Sequence, residues 1–277
     1  MVKKEEINVV MDKSLKLISL NTWGGQLFDD LMGFVKNRRD ETDIFCFQEI
    51  PMGERAVFTA EHGIRENLFA ELKTVLPDFQ PLNYIATAGG KFDSKEIDFP
   101  FGTATFVRKN LKVGEHGGFQ TYSESGFFAK SEKRTPTGTF FYAEVGNYLV
   151  CNIHGIILRE IGKDDTPDRL EQSKRIIDFL AARHDSPQAG RGGKQILCGD
   201  FNLKPQTESI AMLGRVMRNL IKDYGIESTR TELYRNMEKW QDPIADYVFV
   251  SPDIKVRDFK VLGDVVSDHS PLYVEFS

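Results

Sequence analysis

The sequence predicts a mixed α/β protein in which two β-sheets pack face to face and helices cover the outside. Short apolar runs that are typical of strands far outnumber the stretches with helical periodicity along the 277 residues. Many consecutive strands are close enough in sequence to pair as hairpins, which favours two layered sheets over one parallel sheet. Hydrophobic residues make up 40% of the chain, so a large core is expected in a single domain.

The first half of the chain alternates predicted strands and helices. Leu15 to Leu20 is an apolar run that a Gly-Gly loop follows, so it is expected to be a strand. Apolar residues recur at helical spacing over 27–39 and over 61–76, and Pro77 ends the second of these helices. The other segments expected in this half are strands at 43–48, 81–86 and 102–108 and a polar loop at 89–100.

The second half contains the clearest hairpin signal. A Gly-Asn turn joins the apolar runs Thr137 to Val145 and Tyr148 to Ile153. Pro167 opens a helix at the position where proline fits best, and a strand begins at Gln195. The other predicted segments are a hairpin with a rim loop at 110–135, a polar loop at 155–166, a Gly/Pro linker at 186–193, one or two helices at 206–224, and strands at 229–234, 247–250 and 272–276.

No repeat or change in composition divides the chain. Residues 15–277 are therefore predicted to form one domain after a loose leader, residues 1–14. The leader mixes charged residues with short apolar patches, unlike a signal peptide, and no apolar run is long enough to span a bilayer. These features predict a cytoplasmic protein without stable membrane insertion. The cysteines all lie in apolar runs and are expected to be buried, reduced thiols: Cys46, Cys151 and Cys198.

With a net charge of −5, the chain lacks the overall positive charge that is typical of proteins that bind nucleic acid. This argues against high-affinity DNA binding unless a local basic groove exists. A bound cation would be a second source of positive charge at a site.

Polar residues follow several of the predicted strands. The clearest case is Gln195 to Asn202, where an apolar run relaxes at Gly199 and ends in Asp200 and Asn202. Residues two apart on a strand point to the same side, so this pair would stand together, although Asp and Asn also favour turns. The full set of such residues is Asn21, Glu49, His154, Asp200, Asn202, Asp246, Asp268 and His269.

These polar groups would converge if the strand ends share one rim of two paired sheets. Oxygen ligands without cysteine suit a hard cation such as Mg²⁺, Mn²⁺ or Ca²⁺, and the histidines add acid–base capacity. A single Asp or Asn after a strand is more typical of a turn, and a single His beside apolar residues is more typical of a hydrogen-bonded structural residue. The recurrence of the pattern is what predicts a site.

Six short motifs, in this order and spacing, resemble the endonuclease/exonuclease/phosphatase superfamily that includes DNase I. The resemblance runs from about Leu15 to Phe276. It implies a four-layer α/β/β/α sandwich of two mostly antiparallel sheets that hydrolyses phosphate esters with a divalent metal. The motifs are Leu20-Asn21-Thr22-Trp23, Phe47-Gln48-Glu49, Asn152-Ile153-His154, Gly199-Asp200-Phe201-Asn202, Asp246-Tyr247-Val248-Phe249 and Ser267-Asp268-His269.

The resemblance also implies roles for individual residues. Glu49 would be the main metal ligand, with Asn21 and Asp268 near or in the coordination shell. A nucleophilic water would be oriented or deprotonated by Asp200. The roles implied for the remaining residues concern the phosphate: Asn202 helps to place it, His154 and His269 contact it, and Asp246 orients His269.

Two departures concern the substrate. AP endonucleases of this superfamily usually carry Tyr where this chain has His154 and Lys soon after the Glu, whereas Ile50 follows Glu49 here. The chain is therefore more similar to the branch with DNase I, sphingomyelinases, tyrosyl-DNA phosphodiesterase 2-like enzymes and phosphoinositide phosphatases. Arg134 is either a phosphate ligand, as the family suggests, or a solvated surface arginine. The aromatic residues Trp23, Phe99 and Phe101 are expected to pack in the core.

The predicted function is a Mg²⁺-dependent phosphodiesterase that acts on nucleic acid or a related molecule. The alternative enzyme is a phospholipid, sphingomyelin or inositol-phosphate hydrolase. A non-catalytic binding module with the same fold is a further alternative, but none of the ligand or acid–base positions is replaced. The sequence does not indicate a protein partner.

Overall fold

A computed structural model describes residues 14–59, 63–92, 95–122, 137–158, 161–184, 194–234 and 242–277. The predicted leader, apart from Ser14, and the predicted linker at 186–193 lie outside these residues. In the described part, two six-stranded sheets form the framework.

The first sheet is antiparallel except at its centre, where strands β1 and β2 run parallel. A register shift interrupts the pairing of β2 with β8 between Phe47 and Ile50. In spatial order the strands are β15 (Val256–Val261), β16 (Leu272–Phe276), β1 (Leu15–Asn21), β2 (Ile44–Pro51), β8 (Phe101–Arg108) and β5 (Phe79–Thr87).

The second sheet is also antiparallel except at its middle, where β11 and β12 run parallel. The predicted hairpin forms as β10 and β11, which a turn at 146–147 joins. In spatial order the strands are β13 (Arg218–Asn219), β14 (Asp246–Val250), β12 (Gln195–Asp200), β11 (Tyr148–His154), β10 (Thr139–Val145) and β9 (Val113–Gln120).

Successive side chains of a strand point to opposite faces of its sheet, and this alternation creates the layers of the fold. In β2, Ile44 and Cys46 belong to the core that includes the second sheet, whereas Phe45 and Phe47 pack with helices on the other face. These helices are α1 (Phe28–Arg38) and α2 (Leu68–Val75). The second sheet packs with α3 (Pro167–His184) and α4 (Glu208–Gly214), and α5 (Leu220–Asp223) follows β13. The predicted four-layer sandwich is therefore confirmed.

Other predictions of local structure are confirmed as well. Pro167 is the first residue of α3. The three cysteines are free and buried. None of the helices within the described ranges is long and apolar enough to cross a membrane.

The helix predicted over 61–76 is wrong in its first part. Residues Ile64–Arg65 form a short strand, β4, that pairs with β3 (Phe58–Thr59), and α2 begins only at Leu68. Ile64 is fully buried among Trp23, Phe99 and Phe101. Its apolar character therefore serves a small separate core and not a helix face, a difference that periodicity does not reveal.

Three further segments differ from the expectation. Residues 229–234 do not form a strand, because their pairing is a single bridge between Arg230 and His269. The loop predicted at 89–100 contains a short hairpin of β6 (Gly90–Phe92) and β7 (Lys95–Ile97). The edge strand β15 was not predicted, because its alternation of polar and apolar residues is short and half exposed.

Candidate active site

The sheet topology brings the polar strand ends to one edge of the sandwich. Asn21 is the last residue of β1, and in the second sheet His154 and Asp200 are the last, paired residues of β11 and β12. The carboxyl ends of parallel strands meet at one edge, where α/β proteins bind ligands. Asp246 lies opposite Asp200 because β14 enters antiparallel at this edge.

The chain returns to the same edge just before β16. Ser19 of β1 pairs with Leu272 of the antiparallel β16, so the residues that precede Leu272 lie beside the end of β1. This connection brings Asp268 and His269 to the site. The parallel pairs β1–β2 and β11–β12, together with the antiparallel neighbours β14 and β16, thus place at one edge the predicted site residues that the structure describes.

Unusual backbone geometry accompanies this placement. Glu49 has φ 56° within the irregular part of β2, and Asn202 has φ 55° just beyond β12. Positive φ is uncommon for residues other than glycine and is found where the surrounding structure requires it. Gly199 has φ 135°, and a Cβ atom there would lie 2.1 Å from the carbonyl oxygen of Ile153. The Gly-Asp motif therefore needs its glycine for close strand pairing.

Asp200 lies at the centre of the site. Its Oδ2 accepts a 3.0 Å hydrogen bond from Asn21 Nδ2, and its Oδ1 accepts a 2.9 Å bond from the backbone N–H of Asn202. The same Oδ2 lies 3.9 Å from His154 Nε2 and 3.6 Å from His269 Nε2. Asp200 thus faces both imidazoles while its orientation is held from two sides.

Glu49 approaches the site from the first sheet. Its Oε1 lies 3.5 Å from His154 Nε2, and its side chain is 14% exposed, more than Asp200 at 2%. Neither ring nitrogen of His154 has a hydrogen-bond partner among the described residues, and burial lowers the pKa of this histidine. A neutral, buried imidazole with free nitrogens is suited to contact a ligand.

A buried amide network holds the strand of Glu49 against the second sheet. Asn152 Nδ2 donates to the carbonyl oxygens of Phe47 and Ala104, both at 3.2 Å. Gln48 Nε2 donates to Asn152 Oδ1 at 2.7 Å. The Asn152 of the third sequence motif therefore supports the position of Glu49 from below, across the sandwich.

Asp246 and His269 form a hydrogen-bonded pair. His269 Nδ1 lies 2.9 Å from the Asp246 carboxylate, which also accepts a 2.8 Å bond from Thr229 Oγ1. Burial, assisted by repulsion from Arg230, lowers the pKa of His269 to about 3, and burial raises the pKa of Asp246 to about 6. The imidazole is therefore neutral near pH 7, with Nδ1–H directed to Asp246 and the Nε2 lone pair accepting from Arg230.

Arg230 is a site residue that the sequence did not reveal. Its Nη1 donates to Asp268 Oδ2 at 3.0 Å and contacts His269 Nε2, and the arginine side chain is only 6% exposed. Burial opposes its charge, but Asp268 and the neighbouring carboxylates outweigh burial and raise the pKa of Arg230. No local signal distinguishes this arginine from a solvated one, because only the fold buries it.

Lys163 is a second unpredicted cation near the site. Its Nζ donates to the carbonyl oxygens of Asp242 and Ile244 at 2.8 and 3.0 Å. Burial lowers its pKa to about 8, so it is mostly protonated at pH 7. On either side of Lys163 and earlier in the chain, Arg169 donates to the backbone carbonyl oxygens of Gly162, Asp164 and Ile156.

The donor atoms fit a hard divalent cation. The predicted ligands Glu49, Asp268 and Asn21 would offer carboxylate and amide oxygens, which such a cation prefers. Asp200, Asp246 and His269 also offer atoms within 4.8 Å of one another. In that group, His269 Nδ1 is hydrogen-bonded to Asp246 and Nε2 accepts from Arg230, so both ring nitrogens are already engaged. The first set stays a prediction from the sequence, and two of its atoms are engaged as well, because Asn21 Oδ1 accepts from the backbone N–H of Trp23 and Asp268 Oδ2 accepts from Arg230.

The remaining predictions concern one arginine and three aromatic residues. Arg134 lies outside the described residues, so its predicted role in binding phosphate stays a prediction. Phe99 and Phe101 are buried, and Trp23 is half-buried against them, which confirms core packing for these aromatics.

A family model described as the Endonuclease/Exonuclease/phosphatase family matches residues 18–269. The chain belongs to the endonuclease/exonuclease/phosphatase family. The predicted resemblance is thereby confirmed, and the family places the chain among phosphoester hydrolases. No curated protein sequence matches the chain.

Solved structures of the family share this fold. A mannosyl-6-phosphatase from Bacteroides thetaiotaomicron is 18% identical, with TM-score 0.62 and coverage of 95% of this chain and 99% of that one. D. rerio TDP2 humanized by 14 mutations is 16% identical, with TM-score 0.64 and coverage of 95% and 99%. The human Nocturnin catalytic domain is 16% identical, with TM-score 0.61 and coverage of 95% and 93%. At these identities the likeness concerns the fold.

Proposed function

We propose that this chain is a divalent-metal-dependent hydrolase that directs a water in line at the phosphorus of a phosphodiester. Nucleic acid or a related molecule is the leading substrate. The observation that carries the proposal is the position of Asp200, which lies within 4 Å of two buried imidazoles while two other donors hold its carboxylate. Asp200 would hold the attacking water on the side opposite the leaving group.

The groups around Asp200 would act on the phosphate. His154 has free ring nitrogens. His269 is held in one orientation by Asp246, and it would donate to a phosphate oxygen only once Nε2 is released from Arg230 and takes up a proton. Asn202 Nδ2 donates to the carbonyl oxygen of Gly155 at 3.3 Å, which leaves its second N–H for a phosphate oxygen. Preorganised groups of this kind stabilise the charge that develops on the non-bridging oxygens.

The metal would be held by Glu49, with Asn21 and Asp268 near it. When bound, a divalent ion supplies positive charge to a phosphoryl oxygen in a site that otherwise contains four carboxylates, those of Glu49, Asp200, Asp246 and Asp268. Mg²⁺ is the leading candidate, and Mn²⁺ and Ca²⁺ are the alternatives, because all three prefer oxygen ligands.

The first test is the Glu49→Ala variant. We expect it to reduce turnover of the best substrate by about 10²-fold or more, because the ion would lose its main ligand. The measurement is initial rate against Mg²⁺ concentration, with EDTA as the blank. Glu115→Ala is the matched control, since Glu115 is an exposed glutamate that pairs with Arg183. Activity of Glu49→Ala equal to that of the control would refute the proposed role.

A substrate panel tests the reaction itself. It contains duplex and single-stranded DNA, RNA, sphingomyelin, inositol phosphates and phosphomonoesters, each with Mg²⁺, Mn²⁺ and Ca²⁺. Metal-dependent hydrolysis of a nucleic acid would support the leading proposal. Hydrolysis of lipid or inositol phosphates alone would select the alternative enzyme. Binding without hydrolysis of any member would instead favour a non-catalytic binding module.

A further inference from the structure

Two cations from distant parts of the chain lie against one tyrosine ring at the edge of the site. The guanidinium carbon of Arg230 is 4.2 Å from the centroid of the Tyr234 ring. Lys163 Nζ is 5.3 Å from the same centroid. Both cations are buried, and Arg230 also touches the active site through His269 Nε2. Two cationic side chains therefore lie close to the imidazole that is predicted to contact phosphate, and Asp268 pairs with one of them.

The hydrogen bonding of this group is incomplete. Arg230 Nε and Tyr234 Oη are buried and have no hydrogen-bond partner among the described residues. Lys163 uses two of its three N–H groups on carbonyl oxygens. Buried polar atoms in native proteins are rarely left unpaired, so atoms of this kind point to a bound group. The available atoms are mainly donors, and a group rich in acceptors would satisfy them.

The neighbouring carboxylates do not meet this need. Asp200 already accepts from Asn21 and from the backbone N–H of Asn202. Asp246 accepts from Thr229 and His269. Asp268 accepts from Arg230 Nη1, but this bond leaves Nε of the same guanidinium unpaired. These carboxylates therefore leave Arg230 Nε and Tyr234 Oη without an acceptor among the described residues.

We propose that Arg230, Lys163 and Tyr234 form a phosphate-binding subsite next to His269. Arg230 would bind a phosphate group of the substrate through its free donors, with Tyr234 donating from its hydroxyl and Lys163 adding charge. The planar guanidinium suits phosphate because it presents several N–H donors in one plane. This inference rests on the proposed function, because it takes the ligand to be part of a phosphoester substrate.

The test is the binding of inorganic phosphate, measured by calorimetry in the presence of Mg²⁺. We expect Arg230→Met to weaken phosphate binding by about tenfold or more, and Tyr234→Phe by a smaller factor. Arg230→Lys should fall between wild type and Arg230→Met because it keeps the charge without the planar donors. Arg218→Met is the matched control, since Arg218 is exposed and pairs with Asp223; it should bind phosphate like wild type.

The results that overturn the proposal are specific. Wild-type phosphate affinity in Arg230→Met would do so, as would the absence of phosphate binding in wild type or an equal loss in Arg218→Met. Thermal unfolding of each variant establishes that it is folded. If Arg230→Met does not fold, Arg230→Lys and Tyr234→Phe decide, and wild-type affinity in both would overturn the proposal.

Kinetics then identify which phosphate is bound. A higher KM of Arg230→Met for p-nitrophenyl phosphate would assign the subsite to the phosphate that is hydrolysed. A higher KM only for a nucleoside 3′,5′-bisphosphate would assign it to a neighbouring phosphate, and an unchanged KM for both would contradict the subsite. Because calorimetry needs no turnover, loss of phosphate affinity in Arg230→Met without hydrolysis by wild type would refute the proposed function alone.

Discussion

The protein contains two sets of arginine, carboxylate and tyrosine that use the same chemistry in different surroundings. The outer trio, Arg183, Glu115 and Tyr142, lies on strands β9 and β10 and the end of α3. Arg183 donates to Glu115 Oε2 at 2.8 Å and to Tyr142 Oη at 3.0 Å, and Tyr142 donates to Glu115 at 3.1 Å. Each member thus bonds both others, and Glu115 is 57% exposed.

The inner trio, Arg230, Asp268 and Tyr234, is arranged differently. Arg230 bonds Asp268 and stacks on Tyr234, but its Nε and the tyrosine hydroxyl have no partner among the described residues. Exposed ion pairs contribute little to stability, and their unpaired atoms can bond water. A buried set with open donors costs stability. The comparison identifies the outer trio as a surface ion pair and supports the proposal that the inner trio binds an anion.

The largest expected difference between the trios is in catalysis. Asp268→Asn should lower kcat/KM by about 10²-fold or more, because it removes a predicted metal ligand and the charged partner of Arg230. Glu115→Gln should leave kcat/KM within about twofold of wild type. The measurement is steady-state kinetics on the best substrate of the panel. Equal effects of the two substitutions would break the contrast between the trios.

A smaller difference is expected in stability. Without divalent ions, Arg230→Met should lower the free energy of unfolding by about 2 kcal/mol, because Asp268 loses its partner in a mostly buried place. Arg183→Met should cost less than about 1 kcal/mol. Urea unfolding in EDTA measures both. In Mg²⁺ the loss in Arg230→Met should shrink if the ion neutralises Asp268, and an undiminished loss would argue against Asp268 as a ligand.

The smallest effect concerns the pH response of the outer trio. Hydrogen bonds from Arg183 and Tyr142 lower the pKa of Glu115 to about 2. Because the pKa is lower in the folded state, the pair stabilises the protein above the ordinary glutamate pKa and loses this effect as the pH falls toward 2. The melting temperature of wild type relative to Glu115→Gln should therefore fall with decreasing pH in that range. High salt should reduce this change, and a difference independent of pH would contradict the assignment.

Residues with a strong local signature in the sequence lie where the sequence predicts them. Asp200 ends one apolar strand, with Asn202 just beyond it, and Asp246 begins another, so the position of each could be inferred from a run of neighbours. Residues whose surroundings are made by distant segments do not lie where the sequence predicts them, because neighbouring residues carry no signal of such contacts. Ile64 has the spacing of a helix face but is buried by Trp23 and Phe101, which are separated from it by tens of residues.

The site shows the same division. The sequence predicted the order of the polar residues along the chain and their positions at strand ends, and the metal-binding and acid–base roles assigned to them stay predictions. Which of these residues touch was not predicted, because the sheet order decides that β12 lies between β11 and β14 and that β16 returns beside β1. Arg230 was missed for this reason: its partners Asp268 and His269 lie 38 and 39 residues away.

The sequence by itself determined the family, the alternation that creates two sheets, and the polar residues at their ends. These features depend on neighbouring residues and on the two-residue period of a strand. Only the tertiary structure decided the bulged conformation of Glu49, the neutral state of His269, and the burial of Arg230 and Lys163 beside it. Burial and charge interactions depend on distances in space, so the chemistry of the site emerges only when the two sheets come together.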